Sequence, residues 1–409
     1  MNAPAASSLI LSYEEATRTV YQHAATVHPL PAASVPLLDG LDRTLAEPVV
    51  ADRDQPPFAR STRDGFACRS SDLEEHRPLA LAGHLRAGES WSGPPLKPGH
   101  TIEIMTGAPV PSGADCVLMV EHARLEGDHV VPAQTLKPGE NIVSAGAEAR
   151  RGATLIEPGT RIGPQHIALA AACGYETLAV YCRPRIAILA TGDELVALNQ
   201  HPLPHQIRNS NSYSLAAQVA RHGGRAILHP VVSDTLEASE AAIRAALDSD
   251  LLLLSGGVSM GKYDFVEQAL AAFHAEFFFT GARIQPGRPV VFGRLPERDL
   301  YFFGLPGNPV STLVTFALFA APMLAALCGR SDRGPEFAEG RLTQAVEARA
   351  GLTRFLPARL ESSARGATIR PIPWQGSGDQ TAAARTNCFL VAPENRRLAE
   401  GEPATFLRV

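Results

Sequence analysis

Two glycine-bearing segments follow short apolar runs: Ser255-Gly256-Gly257-Val258-Ser259-Met260-Gly261 after a leucine run, and Leu305-Pro306-Gly307-Asn308-Pro309-Val310-Ser311 after Tyr301-Phe302-Phe303-Gly304. Glycines at such places let backbone N–H groups approach an anion closely, and a helix starting after the loop adds its positive end. Carboxylates occupy comparable positions: Asp193 and Glu194 after Ile188-Leu189-Ala190-Thr191-Gly192, Asp234 after an apolar run ending in Ser233, and Asp264 just past the Gly-Gly loop. Taken singly, each glycine pair reads as a tight strand-to-helix turn and each acid as a cap or a solvated charge. Two such loops beside acids in one sheet favour a phosphate or oxyanion site. Gathered at one sheet end, these carboxylates would face a phosphate-sized space, the arrangement that holds Mg²⁺ between protein oxygens and a substrate phosphate. Neither a Walker A segment nor G-x-G-x-x-G is present, so P-loop ATPase and dinucleotide-binding readings lose support.

Three further segments carry polar chemistry with less signal. Arg60-Ser61-Thr62-Arg63-Asp64-Gly65-Phe66 reads by itself as a surface turn with an ion pair, and Ile104-Met105-Thr106-Gly107-Ala108-Pro109 is a second turn. Gln285-Pro286-Gly287-Arg288-Pro289 is also a turn by default, with Arg288 available for bidentate contact to an oxyanion. The 13 histidines show no metal-ligand spacing, and the 6 cysteines form no C-x-x-C pair, so both are read as structural.

The elements that must position these residues follow from periodicity. From 185 to 330, apolar runs of strand length alternate with helical segments, which predicts an α/β domain whose parallel sheet is covered on both faces. Residues 50 to 145 hold short β-type runs punctuated by Pro-Ser-Gly, Glu-Gly-Asp and Lys-Pro-Gly turns, and the chain after 330 returns to short strands, so both read as β-rich. Ser12 and Glu15 form a capping-box pattern that opens a helix over about 13–27. The uncharged run from Val310 to Cys328 contains Ser, Thr and Pro322 and reads as a buried core helix rather than a membrane span.

A chain of 409 residues with 45% apolar and 19% charged residues can form several domains with substantial cores. Its net charge of −5 supplies no global positive field for nucleic acid or an anionic membrane. The first twenty residues lack the basic region of a signal peptide, and the expected location is the cytoplasm.

Together, Thr191-Gly192-Asp193-Glu194-Leu195, Ser210-Asn211-Ser212-Tyr213, the loop 255–265, Gln285-Pro286-Gly287-Arg288-Pro289 and 303–311, preceded by Arg63-Asp64-Gly65-Phe66-Ala67 and 103–111, resemble the molybdopterin molybdenumtransferases. This is the MoeA family, whose eukaryotic relatives include the gephyrin E domain. The resemblance spans nearly the whole chain in the family's order. It implies a multidomain α/β plus β fold: residues 12–31 and 184–330 as the molybdopterin-binding α/β domain, 32–50 and 151–183 as an extended connector, 51–150 as a β-rich domain reaching the partner subunit, and 331–409 as a β-barrel-like C-terminal domain. It implies a homodimer that takes adenylylated molybdopterin and molybdate, cleaves the pyrophosphate link with Mg²⁺ and releases AMP.

Under the same resemblance Glu194, Asp234 and Asp264 would hold Mg²⁺, with Gly256, Gly257 and Ser259 as donors to the substrate. Arg288 and Ser311 are candidates for the molybdate oxygens, with Arg354 a weaker one, and Asp64 and Thr106 would complete the site across the dimer interface. A molybdopterin adenylyltransferase and molybdoenzyme-maturation proteins are the implied partners.

The chain departs from the family pattern in places: Thr62 and Arg63 replace Ala and Met, Val143 and Glu148 replace Arg and Asp, and Gln285 and Arg288 replace lysines. Arg63 is a candidate to restore the charge absent at Val143. Two other readings are an adenylyltransferase-like nucleotidyltransferase, disfavoured by the β-rich regions on both sides of the α/β domain, and a non-catalytic gephyrin-like scaffold, disfavoured by retention of the acids.

Overall fold

A computed structural model describes residues 9–257, 265–364 and 366–409. The chain divides into two compact units, the first made of the described residues in Met1–Ala46, Pro158–Ile162 and Leu178–Val409, the second of Glu47–Glu157 and Gly163–Thr177. The expected connector is therefore split, its segments 32–46, 158–162 and 178–183 lying in the first unit and the remainder in the second.

The first unit holds a six-stranded sheet in the spatial order Arg225–Leu228, Arg185–Ala190, Leu251–Ser255, Leu300–Leu305, Val291–Leu295, Glu276–Phe279. The first four run parallel, and Val291–Leu295 runs antiparallel to both of its neighbours. A short turn, Pro296–Arg298, links Val291–Leu295 to Leu300–Leu305, and such a connection can join only antiparallel strands. Alternate residues divide between two cores. Ile186, Ile188, Leu251, Leu253 and Phe303 face one, and Ala187, Leu189, Leu252, Leu254 and Phe302 the other. A sheet buried on both faces explains why its strands read as continuous apolar runs.

On the first face lies the N-terminal helix Tyr13–Thr26, whose Ala16, Val20 and Ala24 recur at helical spacing and are buried. Its capping box forms as expected: the Glu15 N–H donates to Ser12 Oγ at 3.1 Å and the Ser12 N–H to the Glu15 carboxylate at 2.8 Å. Beside it runs the helical segment Pro309–Leu327, 94% of whose most apolar stretch is buried within the protein, as a core helix requires. Pro322 cannot donate to the helical ladder, and the ladder widens just before it, the Ala321 N–H bonding to Phe316 O.

The C-terminal residues form a closed barrel of five strands: Thr353–Ser363, Gly366–Pro371, Phe337–Leu342, Pro403–Arg408 and Cys388–Ala392, the last pairing back onto the first. Closure pairs each strand on both sides over most of its length, and leaves one side of Thr353–Arg354 open to a further strand. Ile284–Gln285 adds to it in parallel, Gln285 opposite Arg354, and so joins the barrel to a loop of the α/β region.

The second unit centres on another six-stranded sheet, ordered Cys116–Met119, Gly65–Cys68, His100–Ile104, Leu79–Leu85, His129–Pro132, Ala123–Glu126. Here too neighbouring residues separate into two cores, Phe66, Cys116 and Leu118 on one side and Ala67, Ile102 and Val117 on the other.

Candidate functional site

At the carboxyl ends of the parallel strands the polar loops converge. The Thr191 N–H donates to Ser255 O at 3.0 Å, the Gly192 N–H to Val232 O at 3.2 Å and the Gly256 N–H to Leu305 O at 3.2 Å, so four strand-end loops are tied in sequence. Asn211, at the start of the helix Asn211–Arg221, closes the set: its Nδ2 donates to Ser255 Oγ at 3.1 Å and to Gly307 O at 2.7 Å. A Cβ on Gly256, whose φ is +89°, would lie 2.6 Å from the Thr191 carbonyl oxygen, so this approach demands glycine. Thr191 Oγ1 is buried without a hydrogen-bond partner among the described residues.

The acids at this end are organised by backbone. The Asp193 N–H donates to the Asp234 carboxylate at 3.3 Å and the Asp234 N–H returns a bond to the Asp193 carboxylate at 3.1 Å. Each carboxylate thus spends one oxygen on fixing the other loop and keeps a second. The Glu194 carboxylate folds back over Gly192, where an added Cβ would meet its Oε2 at 2.6 Å. Val258 to Asp264 lie outside the described residues, and with them Ser259 and Asp264. No group of three His, Cys, Asp or Glu residues disposed to hold a metal occurs among the described residues. The Asp193–Asp234 pair nevertheless fits Mg²⁺, which takes one or two carboxylates and completes its shell with water and phosphate oxygens.

Arg288 and Ser311 meet in a cleft of about 280 Å³ bounded by 285–289, Pro306, Asn308 and, from the C-terminal region, Leu352, Trp374 and Ser377. The Val310 N–H donates to Ser377 O at 2.9 Å, closing one wall of it. Arg354 is not among the residues bounding the cleft. Its guanidinium donates to the Glu347 carbonyl, and its acidity is raised, first by burial and then by the like charge of Arg349, so that its pKa lies below the usual arginine value.

In the second unit, Asp64 Oδ1 accepts from both the N–H and the Oγ1 of Thr106, each at 2.7 Å. These bonds, the backbone one foremost, hold the Asp64 carboxyl below its ordinary range. Val143 pairs in register with Arg60 rather than with Arg63, and Arg60 bonds Glu148 at 3.2 Å. Of these departures Glu148 thus forms an exposed ion pair with Arg60, and Val143 lies opposite that arginine in the strand register.

Sequence reasoning did not single out Asn211, the exchange between Asp193 and Asp234, or Arg349, whose Nη1 donates to Gln285 Oε1 at 2.7 Å. Asn211 stands in the Ser-Asn-Ser-Tyr segment directly after a strand, and that position was its available signal. Arg349 had none, because its partner is 64 residues away.

Comparison with known proteins gives concordant matches. Residues 11–174 match the family model for the MoeA N-terminal region (domain I and II), 187–326 that for a probable molybdopterin binding domain, and 339–409 that for the MoeA C-terminal region (domain IV). A molybdopterin molybdenumtransferase of Bacillus subtilis (strain 168) is 33% identical over 89% of this chain and 86% of its own. One from Staphylococcus aureus (strain COL) is 31% identical over 90% and 88%. The crystal structure of the molybdopterin biosynthesis MoeA protein from Pyrococcus horikoshii OT3 superposes with a TM-score of 0.79 at 26% identity, covering 98% of this chain and 100% of that one.

Proposed function

Because the chain belongs to the MoeA family, we propose that the loops gathered by Asn211 bind adenylylated molybdopterin and that the neighbouring cleft binds molybdate. The chain acts in molybdenum cofactor biosynthesis as an enzyme of the molybdopterin molybdenumtransferase kind. The observation that carries the finer reading is the Asn211 bridge. One side chain holds the Ser255 loop and the Gly307 loop together, so backbone donors from both can address a single phosphate-bearing substrate.

Asp193 and Asp234, with Glu194 and Asp264 from the adjoining segments, would hold Mg²⁺, which when bound neutralises charge on the pyrophosphate. The residues of this chain would then orient the phosphate link through Gly257 and Ser259, with Gly256 giving the close approach while its N–H holds Leu305 O, and would hold the molybdate oxygens through Arg288 and Ser311, with Arg354 adding charge from outside the cleft lining. Cleavage of an anhydride asks for charge neutralisation and alignment more than for a protein nucleophile. Incubating the protein with adenylylated molybdopterin and Mg²⁺ tests the reading. AMP release that rises with molybdate supports it, and ATP consumption with free molybdopterin would point instead to adenylyl transfer.

The active form under this proposal is a cytoplasmic homodimer in which Asp64 and Thr106 of one subunit serve the other, supplied by a molybdopterin adenylyltransferase and drained by molybdoenzyme-maturation proteins. Mixing Asp64→Ala with Asp234→Asn under subunit exchange tests the sharing. Random exchange makes about half the dimers mixed with one intact site each, so activity should return to roughly a quarter of wild type. No recovery would show that each subunit houses its own site.

A further inference from the structure

Among the described residues that bound it, the cleft holding Arg288 and Ser311 has one charged group, Arg288, and no carboxylate. Among the described residues none of Arg288, Arg349 and Arg354 forms an ion pair, although acids are nearby in the chain. Three of the barrel's carboxylates are engaged with other arginines: Glu347 with Arg397, Glu361 with Arg359 and Arg370, and Glu402 with Arg396, while Glu394 accepts from the Gly351 N–H and Asn395. Arg354 also carries a buried Nε with no hydrogen-bond partner. Arg288 bounds the cleft itself, and Arg349 reaches it through Gln285, so positive charge with no carboxylate beside it collects at its rim, the protein half of an anion site.

Gln285 stands in that cleft as a neutral side chain with one acceptor and two donor hydrogens. Its Oε1 already accepts from Arg349 Nη1 at 2.7 Å, so what it has left to offer a ligand is its N–H₂ group. The strand pairing sets Gln285 in register with Arg354, and so anchors this residue to the barrel that carries Arg349.

We infer that Arg349 is a positioning and specificity-determining residue for a tetrahedral oxyanion in this cleft, committing the Gln285 amide as a donor while adding positive potential from the C-terminal barrel. The inference rests on the reading of the cleft as the molybdate site. It adds a second barrel arginine beside Arg354 to the recognition of the oxyanion, and it makes a neutral glutamine act there in place of a cation.

The test compares wild type with Arg349→Ala by direct calorimetric titration of molybdate and tungstate, with thermal unfolding and steady-state AMP release alongside. Arg349→Ala should weaken molybdate binding about ten-fold, one charge-assisted contact's worth. It should raise the KM for molybdate and leave the KM for adenylylated molybdopterin and the unfolding temperature unchanged. Adding Gln285→Lys to Arg349→Ala places a cation back at the cleft and should restore affinity, which a purely structural role for Arg349 would not allow. If Arg349→Ala unfolds, Arg349→Met keeps the side-chain stem and carries the same expectation. Unchanged molybdate affinity in a folded Arg349 variant overturns the inference alone. A wild-type protein that binds neither molybdate nor tungstate overturns the reading of the cleft together with it.

Discussion

The strand-end loops and the cleft beside them hold charge of opposite sign and treat it in opposite ways. Asp193 and Asp234 each accept a backbone N–H from the other's loop, so part of each carboxylate's hydrogen-bonding capacity is satisfied within the protein. Arg288, Arg349 and Arg354 have no carboxylate partner among the described residues. Acids can be held by backbone donors wherever loops meet, whereas an arginine has donors only and needs an acceptor. The acidic end is thus tied together by backbone donors, whereas Arg349 and Arg354 find only neutral acceptors, the Gln285 amide and the Glu347 carbonyl, which leave their charge uncompensated among the described residues. Substitutions at the first should disturb loop geometry as well as chemistry, and substitutions at the second should act on ligand affinity with little effect on folding.

Asp234→Asn is the strongest way to separate charge from geometry at the acidic end. An asparagine oxygen still accepts the Asp193 N–H, so the unfolding temperature should stay near wild type while molybdate-dependent AMP release falls about 100-fold, the scale of losing one electrostatic contact to a reacting centre. Full activity in a folded Asp234→Asn variant would take this carboxylate out of the chemistry.

Gly256→Ala probes how tightly the loops are built. It should cost about 1–3 kcal/mol in denaturant unfolding, because an L-residue at φ +89° is strained and its Cβ would stand 2.6 Å from Thr191 O. Gly99→Ala, at φ +74° with nothing within 4 Å, carries the backbone strain without the clash and should cost less. Equal costs would mean that the loop contact contributes nothing. Asn211→Ala comes next, at about 1 kcal/mol, since it removes the donor to Ser255 Oγ and Gly307 O. Loss of activity without loss of stability there would show that Asn211 touches substrate rather than holding the loops.

The smallest effect is expected at Asp64. Its folded-state carboxyl lies below the ordinary range, so its stabilising contribution is present above the ordinary carboxylate pKa and disappears as pH falls through the lowered folded value. Thr106→Val removes the hydroxyl donor and keeps the backbone one. The Asp64 carboxyl, followed by NMR titration, should therefore move part of the way back up and remain below its usual range. An unmoved titration would remove the hydroxyl from the account.

The sequence by itself determined what depends on neighbours along the chain. The Ser12–Glu15 cap is a four-residue motif, and the apolar runs 185–190, 251–255 and 300–305 read as buried strands because both sheet faces are covered. The return to short strands after 330 was legible, but nothing local said that the strand 388–392 would pair back onto 353–363 and close a barrel. The motif loops were visible as loops, and their resemblance to a family supplied roles that spacing alone did not. What only the tertiary structure decided is which loops touch. Asn211 lies 44 and 96 positions from the groups it joins, Asp193 is 41 from Asp234, and Arg349 is 64 from Gln285. Hydrogen bonds at such separations depend on strand order and on barrel closure, and residue type records only that a donor is available, not which acceptor the fold will bring to it.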